Sequence, residues 1–339
     1  MTLTENPAPD SGHGGRARPE PAPDSAPVPG SLPARWAHGT PGRRRAAEPP
    51  IQVHHYDEHT VILRQSKSLS YEAPFLYLLF GDDRALLLDT GATADPALFP
   101  LRATVDRLIA GWLSEHPRAH YELVVAHSHG HQDHLAADPQ FAGRPATTVL
   151  PRDAESVRSF FGFGADWPTG TVSFDLGGRV LEVLGSPGHH EAAITVHDPR
   201  TGILLTGDTV LPGRLYAFDS AAYLATLDRL AAFAAERRVT HVLGGHVEMT
   251  RRPRRDHPLG ATCQPDEAPL EMTADDVVAI RDAAASVAGR PGVHRFDNFV
   301  IYLEPRRTDL LALVARGLAH RVCSALVRPL RRRNGEIRP

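Results

Sequence analysis

Ala126-His-Ser-His-Gly-His-Gln-Asp-His-Leu135 places four histidines and an aspartate in ten residues, directly after the apolar run Leu123-Val-Val-Ala126. The apolar run reads as a buried strand, so the polar cluster begins where that strand ends. Within it, His129-Gly-His131-Gln-Asp133-His134 has the form His-x-His-x-Asp-His, four donors in six residues. Two histidines one residue apart at a strand end can converge on one cation. Asp133 and His134, a turn further on, are presented to a second position. Imidazole and carboxylate are ligands that zinc, manganese and iron accept. A solvated polar loop has no reason to follow a buried strand in this order.

One loop cannot close two cation sites, so further donors are expected at other strand ends. They are found in Ser186-Pro-Gly-His189 after Val183-Leu184, in Thr206-Gly-Asp208 after Ile203-Leu-Leu205, and in Gly244-Gly-His246 after Val242-Leu243. Each lies beside glycine, which lets backbone approach closely in a tight turn.

Outward from these segments, strands are expected at 61–63, 75–80, 85–88, 147–150, 170–174, 179–184, 193–197, 203–206 and 239–243, with a last strand at 295–304. Helices are expected at 96–116, 221–236 and 308–330, and from the Thr273 N-cap to about 288. Strands mixed with helices without a repeat imply an α/β (α+β) layered sandwich. Residues 1–50 hold 11 of the 30 prolines and 6 of the 28 glycines, and read as a disordered tail. The expected organisation is that tail, a catalytic domain at 51–255, and a helical and strand extension at 256–339 that packs on it. In the last helix the stripe Leu311, Val314, Leu318, Val322 and Leu326 is expected to dock on the domain, the alternative being a basic amphipathic helix on a membrane.

The set His-x-His-x-Asp-His, Pro-Gly-His, Thr-Gly-Asp and Gly-His, in that order, resembles the metallo-β-lactamase-fold superfamily of hydrolases over residues 51 to 249. The resemblance implies an αββα four-layer sandwich with metals at one edge. It implies two divalent metal ions, zinc foremost with manganese or iron as alternatives. His129, His131 and His189 would hold the first, Asp133, His134 and His246 the second, and Asp208 would bridge them. Asp89, in Asp89-Thr-Gly91, would orient ligand histidines. Two cations sharing a bridging water bring hydroxide beside a polarised carbonyl, and Asp133 would take a proton as the intermediate collapses.

Departures within the family narrow the substrate. β-Lactamases of this fold have Cys or Ser where this chain has Asp208, and the quorum-quenching lactonases carry a Tyr where it has Leu211. The nucleases need a longer stretch before the last histidine. The glyoxalase II-like branch remains, with thioesters and related acyl compounds as substrates, although the C-terminal part does not match that branch's glutathione-binding helices. An iron-dependent oxidoreductase of the persulfide-dioxygenase kind is the alternative from another class, and a lactonase is a second.

Composition bounds the partners. Thirty-seven basic against 40 acidic residues leave a net charge of −3, with no footprint for nucleic acid. No apolar run approaches the roughly 20 residues that span a bilayer, so stable membrane insertion is not expected. Lys67 is the one lysine and follows no Gly-rich loop, which excludes a P-loop. Cys263 and Cys323 cannot form a disulfide framework, and a cytoplasmic setting is expected. The expected partner is a small-molecule or carrier-bound acyl substrate. Pro212-Gly-Arg214-Leu-Tyr216 reads either as a structural turn or as a cation and a phenol near the metals. Arg251-Arg-Pro-Arg-Arg255 reads as a solvated face or as a clamp for an anionic handle such as phosphate.

Overall fold

Strand alternation sorts the apolar residues into three layers of core. The computed structural model describes residues 30–40 and 48–333, with side chains to 323. The first sheet runs β1 (Ile51–Asp57), β2 (Thr60–Gln65), β3 (Phe75–Phe80) and β4 (Arg84–Leu88). After helix α1 (Leu101–Glu115) it continues through β5 (Glu122–Ala126) and, past the single turn α2 (Gln132–Leu135), β6 (Thr147–Val149). Its first four strands are antiparallel, whereas β4, β5 and β6 are parallel. Helix α3 (Ala154–Phe161) leads to β7 (Thr171–Asp175), β8 (Val180–Gly185), β9 (Ile194–Asp198) and β10 (Ile203–Gly207). The chain then passes through β11 (Arg214–Ala217), α4 (Ser220–Glu236), β12 (His241–Gly244), β13 (Glu271–Met272) and α5 (Ala274–Ser286). It closes with β14 (Gly292–Arg295), β15 (Val300–Leu303) and α6 (Arg307–Arg333). The second sheet has the order β13-β12-β10-β9-β8-β7, and a small third sheet the order β11-β15-β14.

In β3, Phe75, Tyr77 and Leu79 point between the two large sheets, where they share a cluster with Leu181, Val183, Ile203 and Leu205. The alternate residues Leu76, Leu78 and Phe80 pack outward with Val105, Ile109 and Trp112 of α1. On the far side Leu204 and Val242 pack against Leu227 and Leu230 of α4 and Val277 and Ile280 of α5. The layers are therefore α, β, β, α. Burial on both faces is why these strands read as continuous apolar runs.

The Thr273 side chain accepts from the Asp276 N–H, and the Asp276 carboxylate accepts from the Thr273 N–H, so α5 starts on a full capping box. The last strand differs from expectation. It is a hairpin of β14 and β15, and β15 pairs in parallel with β11, which falls in the 212–216 segment expected to be either a structural turn or a cation and a phenol near the metals.

Two further expectations are corrected. Residues 30–40, assigned by composition to the disordered tail, lie against the domain. Leu32 is buried, the Trp36 ring meets Phe75 edge-on at 5.0 Å, and the His38 carbonyl accepts from Gln264 N at 2.7 Å. Two isolated apolar side chains suffice there because the sheet edge supplies a preformed surface, which an average over Pro-rich sequence hides. Residues 1–29 and 41–47 of that stretch lie outside the described residues. The stripe on α6 also faces the other way: Leu311, Val314, Leu318 and Val322 are exposed, while Leu313 and Gly317 face the domain. A small residue is required at the contact, since a Cβ on Gly317 would come within 2.4 Å of the Leu259 carbonyl oxygen. Leu326 lies beyond the described side chains. No helix among the described residues is long and apolar enough to cross a membrane.

Candidate metal centre

The parallel pairs β4–β5 and β10–β12 end at the same edge of the sandwich, and the loops beyond them carry the donors. Beyond β5 the chain delivers His129 and His131, and α2, whose N-cap is His131, presents Asp133 and His134. Beyond β8 comes His189, beyond β10 Asp208, and beyond β12 His246. The two last loops touch through Gly245 N–H donating to the Gly207 carbonyl at 2.8 Å. A Cβ on Gly245 would lie 2.6 Å from Asp208 Oδ1 and 2.9 Å from His134 Cε1, so glycine is needed for this close approach.

The seven side chains fall into two adjoining groups. In the first, His131 Nδ1 stands 3.0 Å from His129 Nε2 and 3.0 Å from His189 Nε2, with Asp208 Oδ2 at 3.9 Å from His189 Nε2. In the second, His246 Nε2 stands 3.1 Å from His134 Nε2 and 3.3 Å from Asp133 Oδ2, and Asp208 Oδ1 is 3.6 Å from both ring nitrogens. Bonds of about 2.1 Å in tetrahedral geometry put ligand atoms about 3.4 Å apart, so both groups have the size of a single cation's shell.

The outer hydrogen bonds fix which nitrogen faces inward. His189 Nδ1 donates to the Tyr216 carbonyl at 3.0 Å, His246 Nδ1 to the Glu72 carbonyl at 3.0 Å, and His134 Nδ1 to Asp89 Oδ2 at 2.9 Å. Ser128 Oγ donates to Asp89 Oδ2, leaving it to accept from His129 Nδ1 at 3.2 Å. Carbonyl and carboxylate oxygens only accept, so these four rings turn bare Nε2 lone pairs into the site. Asp89 adopts a left-handed φ of 71° at the end of β4, and its Oδ1 also accepts from Ser128 N at 2.7 Å.

Electrostatics differ between the groups. Burial pushes His189 down to about 4 and His129 well below the usual imidazole range, which keeps their lone pairs free. Burial alone would lower His246 too, but Asp208 and Asp133 outweigh it and push it up to about 9. The second group is anionic enough to call for a cation. Asp208 Oδ1 is buried without a hydrogen-bond partner beside the second group, while Oδ2 faces the first, so the carboxylate stands between the two.

The profile of the metallo-beta-lactamase superfamily matches residues 72–246, a span that contains all seven donors. The chain belongs to that superfamily. Among curated relatives, a hydroxyacylglutathione hydrolase of Mesorhizobium japonicum is 26% identical over 189 residues, covering 55% of this chain and 67% of the relative. One of Rhizobium meliloti is 28% identical over 181 residues, covering 50% and 64%. The chain thus spans about two thirds of the length of these relatives. Among solved structures, a metallo-beta-lactamase from Erythrobacter litoralis covers 70% of this chain and 97% of its own at 18% identity and a TM-score of 0.47. The superfamily fold implies divalent metal ions, and the donor groups described above suit them.

Outside the two groups, His127 Nε2 lies 2.9 Å from Asp138, and His190 Nδ1 accepts from Ala192 N, so neither joins the donors. A third trio, Glu58, His59 and His116, also clusters at the surface. There Trp112 Nε1–H donates to His59 Nδ1 at 3.0 Å, which puts the neutral ring's proton on Nε2, the atom that faces Glu58. That tautomer cannot ligate a metal through Nε2.

Over the donors lies a cleft of about 180 Å³. Leu211, Phe218 and Leu259 supply apolar walls, and Tyr216, Arg214, Glu248 and Glu72 polar ones. Arg214 and Tyr216 thus do reach the site, but Arg214 is committed, ion-paired to Glu248 and to Asp256. Glu72 and Ser128 were not legible as site residues. Neither lies in a donor motif, and Glu72 reaches His246 through its backbone carbonyl, which no side-chain pattern announces.

Proposed function

We propose that the chain is a hydrolase with two divalent cations in one centre, acting on the acyl carbon of a thioester, with esters and lactones as related substrates. The observation that carries this reading is Asp208, half-buried between two donor triads with Oδ1 toward one and Oδ2 toward the other. His129, His131 and His189 would hold one cation and Asp133, His134 and His246 the other. The nitrogen-rich sets favour zinc. When bound, the cations polarise an acyl carbonyl and lower the pKa of water between them.

The chain's own residues orient and exclude. Leu211, Phe218 and Leu259 keep water from one side of the cleft, whose small volume suits a short acyl group. Burial alone would push the Asp133 carboxyl up, but His246 and His134 hold it down to about 2, so Asp133 is a carboxylate at neutral pH, the form that would ligate a cation, and it would hold a proton only in passing as the intermediate collapses. The names of the curated relatives support the thioester as substrate class.

The test is metal content per chain by mass spectrometry on protein purified without added metal or chelator, followed by hydrolysis of a panel of thioesters, esters and lactones. Close to two zinc ions with thioester turnover is expected. One iron per chain with oxygen uptake on a persulfide would overturn the reading. Asp133→Asn with full metal content and an unchanged rate would remove the proton-accepting role.

A further inference from the structure

A second cavity of about 380 Å³ lies on the other side of a thin wall from the metal cleft, and Arg252, Arg254, Arg255, Arg295 and Arg316 line it. Arg214 belongs to that wall. It borders the cleft and donates through Nη1 to Asp256 Oδ2 and the His257 carbonyl, both at 3.0 Å, and those two residues border the cavity. Leu259 lines the cleft, and its neighbour Pro258 lines the cavity.

The charges do not cancel. The Asp256 carboxylate is buried and already shared among Arg214, Arg295 and Arg316. Asp266, the other acid of the cavity, lies 3.5 Å from His257 Nε2. Arg252, Arg254 and Arg255 make no side-chain hydrogen bond or ion pair among the described residues. They stand on a turn held by Thr250 N–H to the Arg255 carbonyl at 2.8 Å and by Arg254 N–H to the Asp297 carbonyl at 2.9 Å. A solvated face would let guanidinium groups diverge. Here three parts of the chain, the 251–255 turn, β14 and α6, bring five arginines to the lining of one concavity, two of them, Arg295 and Arg316, paired to Asp256 and three, Arg252, Arg254 and Arg255, exposed.

We propose that this cavity binds the phosphate of a thioester whose thiol portion is a phosphorylated pantetheine, while the acyl end lies in the metal cleft. Guanidinium forks match phosphate oxygens in charge and geometry. Free acyl coenzyme A and an acylated carrier protein both present this phosphate. The proposal rests on the thioester-hydrolase reading above, and it names the handle by which that substrate is held.

The variant Arg252→Gln/Arg254→Gln/Arg255→Gln removes the three charges that have no partner among the described residues, without touching the Asp256 cluster. Metal-loaded wild type and variant are compared on acyl coenzyme A, on the same acyl group on a carrier protein, and on acyl pantetheine, which lacks phosphate. The expected result is a KM raised about tenfold or more for a phosphorylated substrate, the loss of at least one charge-assisted hydrogen bond, with hydrolysis of acyl pantetheine unchanged. Whichever phosphorylated substrate shows the change identifies the source. Equal effects with and without phosphate, or no effect on either phosphorylated substrate, would overturn the proposal. Calorimetric titration with adenosine 3′,5′-bisphosphate, alongside inorganic phosphate, reads the cavity without turnover. Binding to wild type that the variant loses supports the site even if no thioester is hydrolysed, an outcome that would sink only the hydrolase reading. Equal binding to both proteins, or binding to neither, together with an unchanged KM, overturns the site itself.

Discussion

The Nε2 atoms of His134 and His246 face each other at 3.1 Å, and each ring already donates through Nδ1, to Asp89 and to the Glu72 carbonyl. Two bare lone pairs at that distance repel, so a positive charge must sit with them. Without metal, protonation supplies it. His134 is pushed well above its usual range because Asp89 and Asp208 outweigh burial, as Asp208 and Asp133 do for His246 at about 9.

A cation must displace such protons. Titrating zinc into metal-free protein at pH 7.5 is therefore expected to release protons. The release appears as a difference in apparent binding enthalpy between buffers of unequal ionisation heat. Equal enthalpies would mean that the pair is neutral before metal arrives.

Gly245 offers a cleaner separation of the two groups. In Gly245→Ala the new Cβ would press on Asp208 Oδ1 and His134 Cε1. The expected protein retains its far-ultraviolet circular dichroism, loses one of two cations and loses most of its hydrolytic rate. Full metal content in this variant would show that the loop yields.

Asp89 orients rather than ligates. Asp89→Asn leaves one acceptor oxygen where Ser128 N, Ser128 Oγ and His134 Nδ1 now share two. Metal affinity is expected to fall about 10–100-fold, as for other outer partners of ligand histidines. Competition with a chelator of known affinity measures it.

Far from the site, Arg179 clamps the sheets together. Its guanidinium pairs with Asp198 at 2.7 Å and donates to the Phe80 and His59 carbonyls and to Thr60 Oγ1. Asp198→Ala leaves that buried charge without its partner and is expected to cost about 3–5 kcal/mol in denaturant unfolding. Burial raises the Asp198 carboxyl, but Arg179 outweighs it, and the folded value lies below the unfolded one of about 3.9. The clamp's contribution is therefore full above about pH 4 and is lost as pH falls through the folded value. In Asp198→Asn the acid limb of the stability profile should flatten.

Much of the site was legible because its chemistry is local. His129, His131, Asp133 and His134 lie within six residues, and a strand end followed by one helical turn is enough to aim them at two positions. The other three donors each follow an apolar run and a glycine. The mixture of strands and helices carried a layered sandwich, and the αββα order came with the resemblance to the family. Of the wall around the donors only Arg214 and Tyr216 were legible, as one of two readings of their segment. Glu72 meets His246 across 174 residues of chain, and Arg214 meets Glu248 across 34. Neither end carries a pattern that names the other.

From the sequence alone came a candidate donor set with its order along the chain and the resemblance to the family. Spacing within a turn and burial along a strand are short-range properties that a few residues encode. Only the tertiary structure decided that β15 pairs with β11, that Arg214, Arg295 and Arg316 share Asp256, and that α6 turns its apolar stripe to solvent. Apolar periodicity reports that a helix has a greasy face. Which face docks depends on where a small residue such as Gly317 and a pairing charge such as Arg316 find their partners, and those partners lie far away in the chain.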